Sequence, residues 1–298
     1  MGDVATTTAI DDDHGEGGAV HGVYSRAELE ALGLDAREIR RMVAAGELEI
    51  VRRGWYATPA HDDRVHAAVK AGGVLSCVSA LRRYEFWLPP GYPEDHRRIT
   101  RNAKADSGCR GFSPLAAGRV GVDPVVIALE CAARCMNEEG WIAVCDSVLN
   151  TWNVSAEELR GRMGHLPKYV VAMFGKTDVN SQSGTESIAR VRLRALHFSV
   201  VVQPQIADVG RTDLWIGRIL IECDSRQHHT SLESYQNDRT RDRKAVVGRW
   251  ITLRLTYDDI LFGWDEVVED IRAITAKDRH RHRPGRTARS CSSVTPEC

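Results

Sequence analysis

The chain has 298 residues, with 43% hydrophobic and 27% charged content, which is ordinary for a folded globular protein and long enough for two domains. Its formal net charge of −1 excludes a uniformly basic nucleic-acid coat but leaves room for local basic faces. No apolar run approaches the roughly 18 residues that a bilayer-spanning helix needs, so no membrane partner is expected.

Residues 1–19, beginning "MGDVATTTAIDDDHGEGG", read as a disordered acidic leader without the basic-then-apolar pattern of a signal peptide. A cytoplasmic location is the expectation. Arginine outnumbers lysine 34 to 6, as GC-rich coding in an actinobacterium or its phage would produce. The eight cysteines contain no Cys-x-x-Cys pair; Cys131 and Cys135 stand one helical turn apart, with Cys145 further on. That spacing predicts buried thiols rather than a metal site, and no disulfides in a reducing cytosol.

Residues 20–60 are dense in boundary signals. Ser25 with Glu28 forms a capping box, and Gly33 can end the helix that follows. Asp35 with Glu38 opens a second helix that closes near Gly46. Its spacing puts Ile39, Met42 and Val43 on an inner face and Arg37, Arg40 and Arg41 on the outer one. The stretch "ELEIVRRGWYAT" then predicts two short strands about Arg53-Gly54, a wing carrying Arg52 and Arg53. Helix, tight turn, arginine-faced helix and basic hairpin make a winged helix-turn-helix, with double-stranded DNA as the expected partner. A solvated surface helix, or a winged helix used for protein contact, remains open at this point.

Residues 61–180 predict a mostly helical connecting region. Its patches include "DRVHAAVKAGG", "CVSALRRYEF", "DPVVIALECAARC" and "GWIAVCDSVLNTW", and Ser155 caps "AEELRGRM". No catalytic spacing occurs there. Residues 277–298 hold six Lys/Arg against two acids and read as a basic disordered tail.

Residues 181–276 change character. A helix in "SGTESIARVRLRALHF" carries Ile188, Val191 and Ala195 on one stripe, and "SVVVQPQ", "TDLWI" and "ILIECD" read as strands. Gly217-Arg218 has the composition of a type II′ hairpin turn, which places Ile216 opposite Ile219, Trp215 opposite Leu220, Leu214 opposite Ile221 and Asp213 opposite Glu222. Period two puts Asp224 on the face of Glu222. Like charges about 4 Å apart repel by roughly 4 kcal/mol at an effective dielectric near 20. A hard cation such as Mg²⁺ would relieve this, as would protonation or an arginine partner, for which Arg190, Arg194 and Arg239 are candidates. The sheet with flanking helices, after a winged helix and a helical middle, gives an α/β (α+β) class.

Helical Glu186, Asp213 and the pair Glu222-x-Asp224 resemble the PD-(D/E)XK nuclease superfamily. Residues 183–275, with "YQNDRTRDRKAVVGRWITLRLTYDDIL", resemble domains related to very-short-patch-repair (Vsr) endonucleases. That resemblance implies a restriction-endonuclease-like mixed sheet and Mg²⁺-dependent hydrolysis of DNA. It makes Asp213 and Glu222 metal ligands and Glu186 the helical acid, puts Asp224 where the motif's lysine stands, and makes His229 the general base. Ser225 replaces a usual glycine. Read from the residues alone, the next helix, with Arg239, Arg241, Arg243 and Lys244 among Asp238 and Asp242, either holds phosphate through its basic members or forms a solvated face bonded through i,i+4 pairs. Residues 20–150, through "YSRAELEALGLDAREIRRMVAAGELEIVRRGWYAT" and "LSCVSALRRY", resemble AbiEi-type antitoxins. This implies a DNA-binding role in a toxin–antitoxin or phage-defence setting, with a dimer as one form of self-association. Three readings follow: a DNA endonuclease, a repressor that keeps an inactive nuclease fold to grip DNA, or an inert interaction protein with a structural acid cluster.

Overall fold

A computed structural model describes residues 21–99, 108–112, 120–224 and 232–276, with 232–238 described through their backbone alone. The leader, the tail, Ser225 and His229 lie outside the described residues. The chain divides into two compact units, 1–188 and 189–298.

The first unit opens with β1 (Val23–Ser25), α1 (Arg26–Ala31), α2 (Ala36–Ala44), β2 (Glu49–Arg52) and β3 (Trp55–Ala57), the strands lying in the order β1-β3-β2. Both expected capping boxes form, Ser25 with Glu28 and Asp35 with Glu38, each satisfying backbone N–H groups that a helix start leaves without partners. Gly33 and Gly46, at φ 87° and 74°, follow the two helix ends in the left-handed conformation that glycine tolerates best. Leu29, Ile39 and Leu48 form a small core, with Tyr24, Leu34, Met42, Val43 and Tyr56 packed on it.

Beyond the wing come α3 (Asp63–Lys70), β4 (Gly73–Leu75), α4 (Cys77–Arg83), β5 (Arg97–Ile99), α5 (Val125–Cys135), α6 (Glu138–Trp152), α7 (Ala156–Arg162) and α8 (Lys168–Phe174). The region is helical as expected, apart from the antiparallel pair β4–β5, whose three-residue strands are too short to show a period in sequence. Leu81, Leu129, Trp141, Ile142, Leu149 and Leu159 are fully buried here, and the Trp141 indole donates to the Leu129 carbonyl at 2.9 Å. Arg98 and Asp123 form a buried two-pronged ion pair with both bonds at 2.6 Å. The division between the units falls within α9 (Gly184–Ala195).

The second unit contains β6 (Val201–Val202), β7 (Gln205–Ile206), β8 (Gly210–Arg211), β9 (Leu214–Ile216), β10 (Ile219–Cys223), α10 (Leu232–Val247), β11 (Ile251–Leu255), α11 (Tyr257–Leu261) and α12 (Trp264–Thr275). Its main sheet has the order β11-β10-β9-β6, antiparallel except for the parallel pair β10–β11, which α10 connects as such a crossover requires. Ile219 pairs with Ile216, Leu220 with Trp215 and Ile221 with Leu214, the register that the turn arithmetic predicts. Gly217 takes φ 57° at the first turn position, as a type II′ turn demands. β7 and β8 make a separate two-stranded ribbon. Ile206, Val209, Leu220 and Ala245 form a core cluster joined by Trp215 and Trp250, whose rings meet edge to face at 5.9 Å.

Candidate functional site: a winged helix and an acid hairpin

In the winged helix, α2 turns Ile39 inward while Arg37, Arg40 and Arg41 are exposed. The three-and-four spacing that buries Ile39 and half-buries Met42 and Val43 leaves those arginines on the opposite face. Arg41 also pairs with Glu47 at 3.2 Å, a surface contact worth little in water. Within the wing, Arg53 is exposed beside Gly54. Arg52 is placed differently. Its guanidinium lies over the Trp55 ring, 5.2 Å from the centroid, and donates to the Gly73 carbonyl. Burial lowers its pKa from the ordinary arginine value. Arg52 therefore braces the wing against the body of its unit, and the outward basic face consists of Arg37, Arg40, Arg41 and Arg53.

The acids of the second unit gather at the open end of the β9–β10 hairpin. The ladder stops one pair short of Asp213 and Glu222. The reason is local: the Asp213 carboxylate itself accepts the Cys223 backbone N–H at 2.7 Å, and the Gln203 amide donates to its other oxygen at 3.1 Å. Gln203 is held in turn by the Arg211 guanidinium. Glu222 accepts from Arg241 at 2.7 Å, and Arg241 also donates to the carbonyls of Val209 and Arg211. On its other side Glu222 is in register with Arg254, which pairs with Asp242 at 2.7 Å. Burial pushes the Glu222 carboxyl up to about 7; Asp213 and Asp224 add to the rise, and Arg241 and Arg254 oppose it. Asp224 follows β10 and donates its N–H to the Leu255 carbonyl.

The structure thus brings Asp213, Glu222 and Asp224 into one electrostatic neighbourhood. Glu186 lies in the first turn of α9, 1% exposed, where its carboxylate accepts the Gln182 N–H at 2.9 Å and Ser183 caps its own backbone N–H. Arg239 and Lys244 are exposed on α10. The guanidinium on Glu222 belongs to Arg241, whose spacing in the sequence does not single it out. Its signal is Ala245, buried one turn later on the same helix face. A second grouping also escapes sequence spacing: Cys77, His96, Cys109 and Cys135 come together in the first unit. Among the described residues no helix is long and apolar enough to cross a membrane.

A family model described as "Transcriptional regulator, AbiEi antitoxin" (AbiEi_4) matches residues 20–59. No curated protein matches the chain. The matched span begins before β1 and ends just beyond β3, so it covers the winged helix and nothing else described. Residues 20–59 are therefore similar to the AbiEi antitoxin regulator family, over the winged helix alone.

Proposed function

We propose that the chain is a DNA-binding transcriptional regulator of the antitoxin type, with α2 as its reading helix and the wing as its backbone clamp. The observation that carries this reading is the outward face of Arg37, Arg40 and Arg41 on the second helix of a helix-turn-helix. Guanidinium groups suit both tasks, since they pair with phosphate oxygens and fork onto the guanine edge in the major groove. The test is mobility shift on DNA from the upstream region of its own gene. Arg40→Ala combined with Arg41→Ala should weaken binding at least tenfold with the circular-dichroism spectrum unchanged; unaltered binding would overturn the assignment.

A second reading, a Mg²⁺-dependent endonuclease, is favoured by one observation: Asp213 and Glu222 end a hairpin whose second strand runs parallel to β11. The donor chemistry is of the right kind, because carboxylate oxygens suit a hard divalent cation. Their present engagement does not fit one. Glu222 is held by Arg241, and one Asp213 oxygen is taken by a backbone N–H. No hydrolytic step follows from this arrangement. Nicking of supercoiled plasmid that requires Mg²⁺, stops with chelator and is lost in Asp213→Asn would establish this reading; no nicking in either buffer would remove it.

A further inference from the structure

We propose that Cys77, His96, Cys109 and Cys135 are the four ligands of a structural Zn²⁺ ion in the first unit. One ligand atom from each lies within 4.8 Å of all the others. Cys109 and Cys135 sulfurs are 3.7 Å apart, and the Cys109 sulfur is 3.4 Å from His96 Nδ1. With Zn–S near 2.3 Å and Zn–N near 2.0–2.1 Å, a tetrahedron has S···S edges of about 3.8 Å and S···N edges of about 3.5 Å. A disulfide would need about 2.05 Å between sulfurs, so the Cys109–Cys135 spacing is that of a shared centre and not of a bond.

Backbone contacts hold two of the ligands, and helix ends place the other two. The Cys109 N–H donates to the Arg97 carbonyl at 2.8 Å, and His96 is fixed from both sides, its N–H on the Ser79 hydroxyl at 2.8 Å and its carbonyl on the Ser76 N–H at 3.0 Å. Cys77 begins α4 and Cys135 ends α5, so the four ligands draw together two helix ends and the chain on either side of β5. Cys77 takes φ 56°, a conformation that a side-chain-bearing residue adopts at a cost and that ligation would offset. Three sulfurs and one imidazole favour Zn²⁺ over hard cations such as Mg²⁺ or Ca²⁺. Four protein ligands fill the tetrahedron and leave no open position, which makes the site structural rather than catalytic. Cys131 and Cys145, buried elsewhere in the same unit, are not members, and neither is Cys223 of the second unit.

The test is metal content of the full chain purified without chelator from zinc-supplemented cells. Elemental analysis should find about one zinc per chain, released by a mercurial that titrates thiols. Cys109→Ser and Cys135→Ser should each lose most of it, while Cys223→Ser keeps it. Should the serine variants fail to fold, Co²⁺ exchange into the wild type keeps the idea exposed. Tetrahedral thiolate-bound Co²⁺ gives intense visible bands, and His96→Cys should retain metal while shifting them. Zinc well below a tenth of an equivalent, octahedral Co²⁺ spectra, or an intact Cys109–Cys135 disulfide by mass spectrometry would each overturn the proposal.

Discussion

Replacing Arg241 by alanine tests whether an arginine, and not a cation, makes the acid hairpin tolerable. The side chains of Arg241 and Glu222 are 33% and 18% exposed, so the pair stands between a surface bridge and a buried one. Exposed pairs contribute about 0–1 kcal/mol, and breaking a buried pair costs roughly 3–5, so Arg241→Ala should cost about 2–3 kcal/mol. Glu222→Gln should cost nothing at pH 8 and stabilise by about 2 kcal/mol, because no carboxylate has to stay ionised in a half-buried site, the amide still accepts from Arg241, and Arg241 keeps its two carbonyl acceptors. Urea unfolding at pH 8 measures both. The Arg241→Ala penalty should shrink at pH 5, where the stranded carboxyl is protonated. A Glu222→Gln loss equal to or larger than that of Arg241→Ala would refute the reasoning, as would an Arg241→Ala penalty indifferent to pH.

Three further outcomes follow from the same geometry. The winged-helix reading expects log Kd for DNA to rise less steeply with log salt in Arg40→Ala/Arg41→Ala, by a slope of about 2 for two lost phosphate contacts; equal slopes with weaker binding would indicate base contacts instead. Glu222, raised from 4.5 to about 7, binds its proton more tightly folded than unfolded. Its contribution is therefore complete below pH 4.5 and is lost as pH rises through 7, by about 3 kcal/mol at most, and Glu222→Gln should flatten the wild-type decline over that window. Finally, Gly184→Ala in α9 would drive a methyl group into the Trp87 ring, and should cost about 3 kcal/mol in thermal or urea unfolding, although alanine is the better helix former.

The parts of the fold legible in sequence are those fixed within a few residues. The Ser25–Glu28, Asp35–Glu38 and Ser155–Glu158 caps each join positions three apart, and the β9–β10 register is set by one glycine. The parts that sequence hides depend on distant segments. The last expected hairpin pair is replaced by a bond from Cys223 to the Asp213 carboxylate, a competition between side chain and ladder that alternation cannot foresee. Arg52 reads as one more wing cation until Trp55 and Gly73 claim it. The thiol–imidazole cluster is the extreme case. His96 and Cys109 are 13 residues apart, and Cys109 and Cys135 are 26 apart, so no short motif marks them and only the folded middle region makes them neighbours.

The acid hairpin carries one last consequence. An arginine and a divalent cation relieve the same repulsion, but they compete for the same Glu222 carboxylate. Arg241 leaves only at the expense of its bonds to the Val209 and Arg211 carbonyls as well, so hydrated Mg²⁺ alone has little with which to displace it. A DNA phosphate does, since it offers the guanidinium a charged partner in exchange. Metal binding and DNA binding are then coupled through one side chain, and each must strengthen the other by the same factor. On the endonuclease reading, Mg²⁺ should therefore leave the melting temperature of the free wild type nearly unchanged, yet raise it once a short duplex is present. Arg241→Ala should respond to Mg²⁺ without DNA. A wild type and an Arg241→Ala variant both indifferent to Mg²⁺, with and without duplex, would leave the acids as a purely structural cluster and the regulator reading alone.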